Sequence, residues 1–339
     1  MTATEIRMVD AIREAMRAEL AADPSVVLLG EDVSVGGPFG ATKGLQDEFG
    51  AARIRDTPIS EAAVMGLAVG AAAAGLRPIV EIMFMDFATL ALDQLVNHAA
   101  KLRYMSGGQL SIPLTVRMQA GASGAFGAHH SQSLEAWLAH VPGLKVVAAS
   151  TPADAYGLLR AAIRDPDPVV VIEHRALYWG RGPVETGEAA IVPLASAVVR
   201  RPGIDATIVS WSRMTVTALA AADLLAAEGI QAEVIDLRGL QPMDTATVLA
   251  SVRRTGRAVV AHEAVGFGGL GAEVAARIGE DAFDALRAPV ERVAAPFTPV
   301  PAAPDLERAF VPDAAAIAAA VRRTLARPDP RRRSLEEGR

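Results

Sequence analysis

Asp56-Thr57-Pro58-Ile59-Ser60-Glu61-Ala62-Ala63 opens a run, residues 62–75, that is almost wholly apolar and stops at Gly75-Leu76-Arg77-Pro78. Ser60 is a favourable helix N-cap, and a glycine followed by proline ends a helix. A helix this apolar must be buried, as helices are when they cover a sheet. Glu61 then falls in the first turn, where unpaired amides favour negative charge and apolar surroundings disfavour it. A glutamate between those forces can share a proton with a partner. Taken alone, it could equally do no more than complement the helix dipole.

Working outward, short strands bracket this helix. Val26-Val27-Leu28-Leu29 runs into Gly30-Glu31-Asp32 and a glycine-rich loop, residues 36–40, followed by a helical turn over 45–49. A second strand is expected over 78–85, and a helix over 89–104 with Leu92, Leu95, Val96, Ala99 and Leu102 at helical spacing. A third strand over 113–118 opens into a Gly/Ala-rich loop, 120–128, closed by His129-His130-Ser131-Gln132-Ser133. A helix (134–140), a strand (145–148), a Thr151-capped helix and a strand (169–173) complete this half. At the start, Thr2-Ala3-Thr4-Glu5 reads as a capping box for an amphipathic helix presenting Ile6, Val9, Ile12 and Met16. The second half repeats the alternation, with strands expected over 206–210, 232–235, 257–261 and 290–293. Its helices are expected over 214–228, 244–254, 272–286 and 314–325. Repeated βα order predicts an α/β protein of two domains, each a mainly parallel sheet flanked by helices. The expected bounds are 1–185 for the first domain, 186–202 for a linker, 203–326 for the second domain and 327–339 for a disordered tail.

Composition narrows the function. The 339 residues are 51% hydrophobic, enough for two cores, and aromatics make up only 4%. A net charge of −6 with scattered basic residues gives no support to nucleic-acid binding. With no cysteine, disulfides, thiolate metal sites and cysteine nucleophiles are excluded. The start carries no apolar secretory segment, and residues 62–76 fall short of the roughly 20 apolar residues a bilayer needs. A cytoplasmic protein, off the membrane, is expected.

Ligands of parallel sheets sit beyond the carboxyl ends of the strands. Glu61, Asp86-Phe87 and His130 all fall at such ends. A proton-exchanging carboxyl, a flat aromatic and a histidine together suit a planar heteroaromatic ligand with a reactive carbon. Singly, Phe87 reads as core and His130 as a loop-bound histidine. A metal on His129 and His130 is disfavoured, because adjacent residues rarely face one ion. Gly266-Phe267-Gly268-Gly269-Leu270-Gly271 fits the dinucleotide fingerprint between a strand and a helix. Its depth in the chain makes a helix-cap role the stronger reading than NAD binding.

Certain strings carry a resemblance: Gly30-Glu31-Asp32, Thr42-Lys43-Gly44-Leu45, Asp56-Thr57-Pro58-Ile59-Ser60-Glu61 and Asp93-Gln94. They continue with Arg103-Tyr104-Met105-Ser106-Gly107-Gly108, His130-Ser131-Gln132-Ser133, Pro142-Gly143-Leu144-Lys145-Val146-Val147, Val234-Ile235-Asp236-Leu237-Arg238 and His262-Glu263-Ala264. In these the chain, up to about Arg323, closely resembles the beta subunit of the thiamine-diphosphate-dependent first component of 2-oxo acid dehydrogenase complexes. The related acetoin dehydrogenase beta subunit is matched as well.

The resemblance implies a pyrimidine-binding fold followed by a transketolase-type carboxyl-terminal domain. On matching positions, Glu61 is the glutamate that hydrogen-bonds N1′ of the aminopyrimidine, Phe87 packs on that ring, and Ile59 and Met83 line its pocket. His130 is the acid–base histidine of acyl transfer to a lipoyl group, a proton carrier of the kind that step requires. The family's structural potassium site falls on Leu114, Ala162, Ile163, Asp165 and Asp167, where an asparagine is common at the last position. Complete thiamine enzymes hold Mg²⁺ and the diphosphate with a Gly-Asp-Gly, which this chain lacks. The diphosphate half and its Mg²⁺ are therefore expected on an alpha subunit, in an α2β2 enzyme. Its partners would be the lipoyl domain and core of a dihydrolipoyl acyltransferase, and its substrate a small 2-oxo acid. Phe87 and Glu173-His174-Arg175-Ala176-Leu177-Tyr178 lean towards pyruvate or acetoin over branched-chain acids. The rivals are a non-catalytic assembly subunit and an NAD-dependent oxidoreductase.

Overall fold

A computed structural model of the chain describes residues 3–327. The expected tail, 327–339, lies outside them except for Arg327. The chain divides into two compact units. One runs to Leu194 and takes in Leu240–Pro242; the other comprises Ala195–Gly239 and resumes at Met243.

In the first unit β1 (Thr4–Arg7) leads into α1 (Met8–Ala22) and β2 (Val26–Gly30). Next come α2 (Leu45–Phe49), β3 (Ile54–Asp56), α3 (Glu61–Ala73) and β4 (Arg77–Ile82). A long helical stretch follows, as α4 (Ala88–Leu92), a π-helical segment (Asp93–Ala99) and α5 (Ala100–Met105). Then come β5 (Thr115–Ala120), α6 (Glu135–Ala139), β6 (Lys145–Ala148), α7 (Pro152–Arg164), β7 (Val169–His174) and β8 (Arg181–Val184). In the second unit the order is β9 (Val198–Arg201), β10 (Ala206–Ser210), α8 (Arg213–Ala226) and β11 (Ala232–Asp236). After β12 (Gly239–Gln241) follow α9 (Thr245–Thr255), β13 (Ala258–Val265), α10 (Leu270–Asp281), β14 (Glu291–Ala295), α11 (Pro304–Phe310) and α12 (Ala314–Ala326).

The first unit is built on a seven-stranded sheet in the order β12-β6-β7-β5-β4-β2-β3. Its pairs from β6 to β3 are parallel. The chain leaves β2 towards β3 but leaves β4 towards β5, so the winding reverses between β2 and β4. Such reversals are where ligand crevices open at the carboxyl edge. α1 packs on α7, and Met8, Ile12, Met16, Leu28, Ile79, Leu158 and Val171 are fully buried between helices and sheet. The second unit has a sheet in the order β14-β13-β10-β11-β9, parallel except for β9. α8 with α12, and α9 with α10, pack against it. The fold class is thus the expected one.

Four local expectations are corrected. Residues 4–7 form a strand paired antiparallel with β8, so the first helix starts at Met8 and Ile6 is not on it. Ser60 stands at the N-cap of α3, yet its side chain makes no cap bond. Part of the expected linker, Val198–Arg201, is β9, which pairs with β11 and places residues from Ala195 in the second unit. The helix expected over 272–286 ends at Asp281.

Candidate active site

The first sheet's carboxyl edge carries the residues singled out above. Glu61 opens α3 and is 7% exposed. The loop feeding it is tied back to the sheet, since Thr57 N donates to Gly30 O at 3.0 Å. Ser34 also bonds to the Asp56 carboxylate through its amide (2.8 Å) and its hydroxyl. Glu31, just beyond β2, has its carboxyl pushed up in pKa by burial and then by the charges of Glu61, Asp32 and Glu81. Acidic groups therefore face one another across the point where the winding reverses.

Beyond β4, residues 83–87 turn sharply, with a cis peptide between Met83 and Phe84 and a 3-10 turn over Met85–Phe87. Met83 and Phe87 are half-buried, whereas Ile59 is largely exposed. The half-buried His130 imidazole meets the Phe87 ring edge to face at 5.4 Å and the Phe84 ring at 5.0 Å. Glu61, Phe87 and His130 thus come to one edge, the last two in contact. Asp86 Oδ1 accepts from Gln132 N (3.2 Å) and Gln132 Nε2 (2.9 Å), fastening the segment behind His130. Thr57 Oγ1 and Asp86 Oδ2 are buried without a hydrogen-bond partner among the described residues. Buried polar atoms of this kind normally find one, so a ligand with donors suits this edge.

Arg175, Phe84 and Phe126 were not picked out from the sequence as a set. The Arg175 guanidinium lies over both rings, 4.9 Å from the Phe84 centroid and 4.6 Å from that of Phe126. Its Nη2 donates to Gly121 O at 2.7 Å. No local pattern announces this, because the partners come from three separate segments.

The positions of the potassium reading are close together, but other donors already reach them. Leu114 O accepts from Val169 N, Ala162 O from Asp165 N, and Ile163 O and Asp165 O from Arg77 Nη1. The Asp165 carboxylate takes Lys145 Nζ at 2.7 and 2.8 Å, and the Asp167 carboxylate takes Arg103 Nη1 at 2.7 Å. A monovalent cation would have only the second lone pairs of these carbonyls. Among the described residues no group of three or more His, Asp or Glu is placed to hold a metal ion.

Two of the fingerprint glycines, Gly269 and Gly271, pack against His262, whereas nothing lies within 4 Å of a Cβ built at Gly268. A Cβ at Gly271 would lie 2.5 Å from His262 Nε2, and one at Gly269 2.6 Å from Val265 O and 2.8 Å from His262 Cε1. The His262 ring is fully buried and stacks on Trp211 at 5.3 Å. The glycines let α10 close onto that stack. No helix among the described residues is long and apolar enough to cross a membrane.

Both halves of the chain match known domain families. Residues 4–179 match the family model of the transketolase pyrimidine-binding domain, and residues 195–317 that of the transketolase C-terminal domain. The chain is 48% identical over 326 residues to the acetoin:2,6-dichlorophenolindophenol oxidoreductase subunit beta of Cupriavidus necator, covering 93% of this chain and 96% of that one. It is 46% identical over 332 residues to the mitochondrial pyruvate dehydrogenase E1 component subunit beta-2 of Oryza sativa, covering 97% and 88%. Among solved structures, a split-gene transketolase described as an inactive beta4 tetramer superposes with a TM-score of 0.77 at 25% identity, covering 95% of this chain and 99% of that one.

Proposed function

The chain belongs to the transketolase-like family of beta subunits that serve pyruvate dehydrogenase first components and acetoin oxidoreductases, and from that membership we propose that it supplies the pyrimidine half of a shared thiamine-diphosphate site. Its alpha partner, in an α2β2 assembly, would hold the diphosphate and Mg²⁺. The reaction is decarboxylation of a 2-oxo acid, pyruvate favoured, with transfer of the acyl group to a lipoyl domain on an acyltransferase core. The observation that carries this reading is the buried Glu61 at the start of α3, set at the same sheet edge as the Phe87–His130 ring pair.

When bound, thiamine diphosphate supplies a nucleophilic thiazolium carbon whose activation depends on the aminopyrimidine. Glu61, buried at the start of α3, would hold a proton at N1′ of that ring. Phe87 and Met83, both half-buried, would offer an apolar surface to a flat ring, with the exposed Ile59 at its margin. Thr57 Oγ1 and Asp86 Oδ2, buried and open to a hydrogen bond, suit a ligand bearing amino groups. His130 delivers or removes a proton during acyl transfer, its imidazole held edge-on by Phe84 and Phe87. A potassium ion on the carbonyls of Leu114, Ala162, Ile163 and Asp165 beside Asp167 belongs to the same proposal, as does a cytoplasmic location.

Acetoin cleavage is the second reading, favoured by the Cupriavidus necator relative. It uses the same residues in the same roles, and comparing kcat/KM for pyruvate and acetoin separates the two. Glu61→Gln keeps the shape and removes the carboxyl group. In the assembly with the alpha partner we expect it to cut turnover by about 100-fold or more while leaving assembly intact, because general acid–base groups contribute about 10²–10⁴-fold. Unchanged turnover would overturn the assignment.

A further inference from the structure

We propose that Arg175 is a positioning residue for His130, acting by clamping the loop that carries the imidazole. The proposal rests on the acyl-transfer role given to His130 above. Arg175 is 4% exposed and opens the turn that follows β7. Its Nη2 donates to Gly121 O at 2.7 Å and to Ser131 Oγ at 3.3 Å. Gly121 is where the loop leaves β5, and Ser131 is the residue after His130. One side chain therefore pins both ends of the segment that presents the histidine.

The same guanidinium also fixes the walls around that histidine. It sits over Phe126, which belongs to the loop, and over Phe84, whose ring packs on His130 at 5.0 Å and on Phe126 at 5.9 Å. A cation held over two aromatic faces gains from both, and more strongly where water is excluded. The far end is fastened separately, by Asp86 on Gln132.

The loop's ends meet through Gly121 N donating to Gln132 O, and His130 N donates to Gly127 O, both at 3.3 Å, the long end of the hydrogen-bond range. Gly121, Gly124 and Gly127 all have positive φ (+88°, +77° and +74°), and Ala125 is also left-handed at +60°. Glycine-rich backbone has many alternatives to such a path, and a left-handed alanine is disfavoured. Without the clamp His130 would sample other positions, and a displacement of about 1 Å at a catalytic group can cost about 100-fold.

The test uses the full assembly with its alpha partner and two acceptors, a lipoyl domain and the dye 2,6-dichlorophenolindophenol, which needs no acyl transfer to sulfur. Arg175→Met should lower kcat for lipoyl acylation by about 30–100-fold, with KM for the 2-oxo acid changed less than about threefold. Acylation should fall at least about tenfold further than dye reduction. Arg175→Lys, which keeps the cation but loses the planar fork, should recover part of that loss. If both acceptors suffer equally, Arg175 only supports the fold and the proposal is overturned; unchanged acylation overturns it too. His130→Ala is run alongside. Loss of acylation there with normal acylation by Arg175→Met defeats this proposal alone, whereas normal acylation by His130→Ala defeats the underlying reading.

Discussion

Arg117 stands fully buried between two carboxylates, donating to Glu173 at 2.8 and 2.9 Å and to Glu81 at 2.6 Å. Gln119 donates to Glu81 and Tyr178 to Glu173, so each carboxylate has a second donor besides Arg117. Even so, burial pushes the Glu81 carboxyl up, against the pull of Arg117. Arg117→Met would strand two carboxylates, and we expect a loss of about 3–5 kcal/mol in urea unfolding at neutral pH. A loss below about 1 kcal/mol would show that the cluster is not what holds these strands together. His262 makes a second prediction at this scale. Burial, with the charge of Arg292 adding to it, pushes its imidazole down from 6.5 to about 4. Between those two values the unfolded chain takes up a proton that the folded chain refuses, so stability falls as pH drops through that window. The full effect is about 3 kcal/mol, at about 1.4 kcal/mol per unit. Urea midpoints at pH 7.5 and 4.5 should show it in the native chain, and a smaller drop in His262→Phe.

Elements differ in how far the sequence announces them. Most of the parallel strands, such as β2, β4, β7 and β10, were legible because each is a short buried run with a helix pattern behind it, whereas β3 (Ile54–Asp56), exposed after Ile54, was not expected as a strand. Glu61, Phe87 and His130 were legible as site candidates because each falls beyond the carboxyl end of a sheet segment. The elements that escaped are short and paired at a distance. β1 carries Thr4-Glu5-Ile6-Arg7, residues equally suited to a capping box, and becomes a strand only because β8 lies beside it. β9 and β12 are edge strands of four and three residues. Arg175 escaped as a site residue because Gly121, Ser131, Phe84 and Phe126 are far from it in sequence. The reach of distant contacts is equally plain at the start of α10. Gly271 sits inside a helix, where alanine would ordinarily gain about 1 kcal/mol. The His262 ring, at 2.5 Å from its would-be Cβ, reverses the sign. Gly271→Ala should destabilise by about 1–3 kcal/mol, read as a lower melting temperature; a rise would mean that the ring moves aside freely.

For the whole molecule, the sequence and the fold point to half of a catalytic site. The first unit offers a buried glutamate, an aromatic wall and a histidine at one sheet edge, and nowhere does the chain contain the Gly-Asp-Gly that would grip a diphosphate and its metal. The second unit offers a glycine loop in which Gly269 and Gly271 pack against His262. Division of the site between two chains is therefore the claim on which the rest depends. Release of carbon dioxide from pyruvate, with thiamine diphosphate and Mg²⁺ supplied, tests it most directly when measured for this chain alone and again after the alpha partner is added. The account predicts no turnover alone and turnover on mixing; steady release by the isolated chain would contradict it.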